Sequence, residues 1–79
     1  MELTDKQKQF AKVIAATLDD LKSLVLHEKL ILQYSETYLN ETLEYVMALP
    51  REKIKNSRAA FYVWLVNNNG APKKKYSGN

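Results

Sequence analysis

Apolar residues near the start of the chain recur at helical spacing. Phe10, Val13, Ile14, Thr17, Leu18 and Leu21 form one stripe, while Lys6, Gln9, Lys12 and Asp20 fall on the water-facing side. A helix over about 5–21 is predicted. Thr4 and Gln7, three residues apart, make a capping box at its start, and Asp5 favours the positive helix end. The pattern then loosens. Leu24, Val25, Leu26, Leu30, Ile31 and Leu32 are apolar nearly all round. Residues 24–34 therefore read as a central helix, or as a partly strand-like turn before a short helix at about 27–34. Ser35 before Glu36 is a natural N-cap. A third helix is expected from Glu36 to about Ala48, burying Leu39, Leu43, Val46 and Met47 with Tyr38, Thr42 and Tyr45 beside them. Pro50 ends it, because the residue before a proline disfavours helical backbone.

Residues 50–56 carry no period. Asn56 is the expected N-cap of a last helix over about 57–68, with Ser57 at its first position. Ala60, Phe61, Trp64 and Leu65 give that helix an inner stripe, with Tyr62 or Val63 at the margin. Asn67-Asn68-Asn69-Gly70 stops it, since Gly or Asn takes the left-handed conformation that closes a helix. Residues 71–79 offer little to pack and are expected to be a disordered basic tail. The expectation is an all-α fold: a small bundle of three to four helices over residues 1–70, without internal repeats.

Composition narrows the class. A chain of 79 residues makes one small domain. Such a core rarely nets more than roughly 3–5 kcal/mol, so most apolar residues must be buried. There is no cysteine, hence no disulfide and no thiolate metal site, which fits a reducing cytoplasm. The N-terminus has no apolar signal core, and no apolar run approaches the ~20 residues that span a bilayer.

The net charge of +3 is unevenly divided. Residues 1–50 carry five lysines against eight acids, or −3, and residues 51–79 carry seven bases against Glu52 alone, or +6. Such a split suggests a directed contact with nucleic acid or an acidic protein. The plainer alternative is a solvated lysine tail.

No reaction chemistry is legible. His27 sits beside Glu28 with no second histidine, so no metal cluster exists at ligand spacing, and it reads as a helix-start or surface histidine. Asp19 and Asp20 are adjacent, about 100° apart on a helix, and do not form a shared acid–base site. Two glycines exclude a glycine-rich phosphate loop, and Ser57 has no base near it in sequence. The chain is read as a non-enzyme without cofactor or metal.

The candidate interface is the connector. Arg51, Lys53, Lys55 and Arg58 lie within eight positions. In an extended segment Lys53 and Lys55 turn outward while Ile54 anchors in the core. Asn56, Ser57 and Arg58 then present the first N–H groups of a helix, backed by its dipole, where phosphate oxygens bind well. Such contacts confer affinity and salt dependence but little base specificity. Lys73, Lys74 and Lys75 add a flexible second contact, with Tyr76 available to stack on a base. Asn56 and Ser57 also read simply as helix caps, and Phe61, Tyr62 and Trp64 as core or margin.

The run Leu30-Ile31-Leu32-Gln33-Tyr34-Ser35-Glu36, then Leu39-Asn40-Glu41-Thr42-Leu43-Glu44-Tyr45-Val46, then Ile54-Lys55-Asn56-Ser57, resembles a helical element of Gram-positive replication proteins. It is similar to the C-terminal region of plasmid and phage replication initiators and related helicase-loading proteins. There an Ile-Lys-Asn-Pro signature opens the last helix. The likeness covers about residues 24–67, and carries over Ile54, Lys55 and Asn56, with Ser57 in the place of the proline. Those initiators have a winged-helix domain upstream, so the resemblance implies an isolated C-terminal domain or a small stand-alone relative. It also implies a role in replication initiation, through DNA contact or docking of a host primase or helicase component. The alternative is an adaptor or inhibitor encoded by a mobile element, binding a host replication protein without nucleic acid. It would use exposed Tyr38, Tyr45 or Tyr62, or a dimer face.

Overall fold

The computed structural model describes residues 2–70. The proposed disorder over 71–79, and with it Lys73, Lys74, Lys75 and Tyr76, lies outside the described residues. Four helices account for most of what is described: α1 (Asp5–Thr17), α2 (Leu24–Gln33), α3 (Glu36–Ala48) and α4 (Arg58–Val66). Short 3₁₀ turns at Leu21–Ser23 and Arg51–Lys53 precede α2 and lie between α3 and α4. The fold is all-α, and none of these helices is long and apolar enough to cross a membrane.

Local chemistry sets the helix ends. The Thr4 N–H donates to Gln7 Oε1 at 2.8 Å and the Gln7 N–H to Thr4 Oγ1 at 3.1 Å, closing the capping box. Ser35 Oγ accepts from the Tyr38 N–H at 3.1 Å and starts α3 as its sequence implies. α1 is shorter than its apolar spacing suggests, ending at Thr17 rather than near Leu21. Asp19 adopts a left-handed φ of 57°. Its N–H bonds to the Ala16 carbonyl, and the Asp20 N–H bonds to the Ala15 carbonyl at 2.7 Å. This paired closure stops the helix and turns the chain. Leu21 falls beyond it and is exposed. Residues 24–33 form a single helix, not a turn followed by a shorter one.

α1 packs on α2, and α3 on α4. One core joins the two pairs through Ile14, Leu18, Leu30, Leu39, Val46 and Tyr62, among others. On α1 the inward side is Ala11, Ile14, Ala15 and Leu18, while Val13 and Thr17 face water. Small alanine side chains let the neighbouring helix approach closely. On α3, Leu39, Leu43 and Val46 are buried as expected, Met47 is exposed, and Thr42 is buried with its hydroxyl donating to the Tyr38 carbonyl at 2.9 Å.

The largest departure is α4. Its buried residues are Ala59, Tyr62, Leu65 and Val66, not the Ala60–Phe61–Trp64–Leu65 stripe. Only Leu65 is shared. Both faces of RAAFYVWLV are apolar, so spacing alone does not choose between them. The structure buries Tyr62 completely and leaves Trp64 58% exposed.

Candidate nucleic-acid interface

The connector leaves α3 through Pro50 and turns at once. Arg51–Lys53 forms a 3₁₀ turn, with the Lys53 N–H bonded to the Pro50 carbonyl at 3.0 Å. The expected extended segment shrinks to Ile54, whose φ and ψ are −110° and 112°. Ile54 is half-buried and stands outside the core, where it forms a wall shared by two open clefts. Arg51, Lys53 and Lys55 are exposed. α4 starts one residue later than its sequence suggests. Ser57 is the N-cap, its Oγ accepting from the Ala60 N–H at 3.0 Å, and Arg58 is the first helical residue. Asn56 sits outside the helix in a bend.

The larger cleft measures about 740 Å³. Lys53, Lys55 and Asn56 give it a polar side, and Ile54, Phe61 and Trp64 an apolar one. Phe61 and Trp64 are three residues apart and so share a helix face. Ala60 lies on the same cleft, and its small side chain leaves the space open. The second cleft, about 580 Å³, gathers Arg51, Lys55, Ser57 and Arg58 at the α4 N-terminus. Asp19 also lines it and opposes anion binding there.

The structure thus brings Lys53, Lys55 and Asn56 together, and Arg51, Lys55, Asn56, Ser57 and Arg58 around an adjoining space. It gives Arg58 a role that its sequence position does not suggest. The half-buried guanidinium donates from Nη1 to the Val46 carbonyl at 2.6 Å and from Nη2 to the Leu49 carbonyl at 3.2 Å. Arg58 therefore ties α4 to the end of α3 and is first a fold residue. Among the described residues the single carboxylate within pairing distance of a basic side chain is Asp20, beside His27, so none lies within that distance of Arg51, Lys53 or Lys55.

The His27–Asp20 contact is a second correction. His27 is neither a surface nor a plain helix-start residue: it is 1% exposed. Its Nε2 lies 3.0 Å from Asp20 Oδ2, and Asp20 is itself buried instead of facing water. The imidazole packs against the Tyr62 ring with centroids 5.9 Å apart. His27 Nδ1 and the Tyr62 hydroxyl are buried without a partner. Burial holds the Tyr62 phenol well above the ordinary tyrosine range, and the neighbouring Tyr38 adds to this. No local signal marks this group, because its members come from three separated segments.

Trp64 is the surface residue that sequence spacing misplaces. A helix apolar on two faces must leave one of them outside, and its spacing alone does not say which. The chain matches no protein-family model, no curated protein and no solved structure.

Proposed function

We propose that this chain is a small cytoplasmic nucleic-acid-binding domain, not an enzyme, that contacts phosphate through its basic connector and serves DNA replication. One observation carries the reading. Arg51, Lys53 and Lys55 are exposed around two adjoining clefts, with no carboxylate paired to them among the described residues. Cations left unpaired beside a concave surface suit a polyanion, whose binding releases counterions. The resemblance read from residues 24–67 to replication initiators of Gram-positive plasmids and phages would imply the same role. Lys73, Lys74 and Lys75 would extend the electrostatic contact.

Labelled DNA followed by fluorescence anisotropy across a salt series tests this. Binding should weaken steeply with salt, and the Lys53→Ala/Lys55→Ala pair should lower the slope by about 2, roughly one for each phosphate that is no longer neutralised. Circular dichroism should be unchanged, because both side chains are exposed. Affinity that ignores both salt and the double substitution would sink the proposal.

A second reading has its own support. Leu21 and Val25 are 59% and 65% exposed, and Leu32 on α2 is exposed too. An adaptor or inhibitor docking a host replication protein would use such a surface. Of the three tyrosines expected there, Tyr62 is buried, and Tyr38 and Tyr45 are half-buried. Partner binding that survives high salt distinguishes this reading.

A further inference from the structure

We propose that the larger cleft takes an unpaired nucleobase on the Trp64 ring, which makes single-stranded nucleic acid the ligand of this surface; this rests on the phosphate-binding reading above. Trp64 is exposed although α4 has a complete buried face without it. A large aromatic left in water beside a half-buried Phe61 is a platform without a partner. The cleft joins it to Lys53 and Lys55, two residues apart on the rim. At about 740 Å³ it falls within the roughly 300–1,000 Å³ of pockets that hold small ligands.

The chemistry selects the strand state. In a duplex both faces of a base are covered by its neighbours, so an aromatic side chain reaches only edges. An unpaired base offers its face, and stacking on an aromatic residue tolerates any sequence. The charges match the same ligand. Lysines on one side accept the backbone phosphates while the ring takes the base, the combination that single-strand binders use. Lysine is a point cation without a fixed fork, which suits a flexible backbone better than a rigid bidentate target.

Trp64 is the sole tryptophan of the chain, so its emission reports on the cleft directly. Oligo(dT) should quench it, and a blunt-ended duplex of two annealed strands with equal phosphate count should not. Trp64→Ala should weaken labelled oligo(dT) binding roughly five- to 100-fold, leave duplex affinity unchanged, and keep the salt slope. Trp64→Phe should recover most of the loss. An equal effect of Trp64→Ala on both ligands, or none on either, would overturn the stacking site while Lys53→Ala/Lys55→Ala still reports the phosphate contact. If neither DNA binds in a salt-dependent way, the phosphate reading itself fails. Quenching by a poly-glutamate peptide in that case would make an acidic protein the occupant and overturn the proposal.

Discussion

Arg58 Nη1 donates to the Val46 carbonyl across 2.6 Å, while Nη2 of the same guanidinium reaches the Leu49 carbonyl at 3.2 Å. The last turn of α3 contains no basic residue of its own. The Val46 carbonyl, which also accepts the Leu49 N–H at 3.3 Å, the carbonyl of the C-cap Leu49 and the negative end of the dipole are therefore served by the first residue of α4. The connector that carries the exposed cations is pinned at its far end by this fork.

Arg58→Ala should lower the unfolding free energy by roughly 1.5–3 kcal/mol, the range for hydrogen bonds to a charged donor. Arg58→Lys should recover only part, because an ammonium lacks the planar fork that spans two acceptors. Urea denaturation at fixed ionic strength checks both. Wild-type stability in Arg58→Ala would show that the fork is dispensable. DNA affinity of these variants has meaning only where circular dichroism reports a folded chain.

The buried Asp20–His27 pair should behave similarly but for a different reason. Asp20→Ala leaves the buried His27 Nε2 without its acceptor, and should cost about 2 kcal/mol. Asp20→Asn retains an acceptor oxygen and should cost less. Denaturation midpoints of the two variants decide, and equal destabilisation would mean that the carboxylate charge, rather than the hydrogen bond, holds the ring.

These two contacts mark where sequence reading stops. The Thr4–Gln7 box and the Ser35 cap were legible because each acts within one helical turn. The bounds of α3 follow from Ser35 on one side and Pro50 on the other. Arg58 reaches back twelve residues and His27 seven, across helix ends whose relative placement no local pattern encodes. The orientation of α4 failed on a tie, since two apolar faces compete and the winner depends on which one fills the space beside His27. The connector cations were legible as charge. That they border a cleft lined by Phe61 and Trp64 was not, because it follows from the rotation of α4.

Gly70 is a position where only glycine fits. Its φ is +74°, and a Cβ there would stand 2.6 Å from Tyr38 Cε1. Tyr38 has little freedom to yield, since its hydroxyl donates to the Val66 carbonyl at 2.6 Å and its ring stacks on Tyr34. Gly70→Ala should therefore destabilise by about 2–3 kcal/mol, combining left-handed strain with the clash. In a Tyr38→Ala background the same substitution should cost only about 1 kcal/mol. A double-mutant cycle reads this difference directly, and additive effects would locate the whole penalty in the backbone.

Tyr62 predicts a loss of stability in alkali. Burial raises its phenol in the folded state, with Tyr38 adding to the effect, whereas the unfolded chain gives up the proton near the ordinary value of about 10. Below that pH both states hold the proton and the group adds no pH dependence. Above it the unfolded state binds fewer protons than the folded one. Stability then falls as pH rises, by up to ~1.4 kcal/mol per unit for this single group. The decline continues until the folded phenol also ionises. Tyr62→Phe removes the titration together with a buried hydroxyl that has no partner. At neutral pH this variant should lie within about 1 kcal/mol of wild type, on the stabilised side if anything. Its advantage should widen steadily above pH ~10. Urea midpoints measured from neutral pH to about one unit above the ordinary phenol value test the sign for the two proteins. Parallel curves would show that Tyr62 does not control the alkaline limb, and a clear loss in the variant at neutral pH would show that its hydroxyl is hydrogen-bonded in solution.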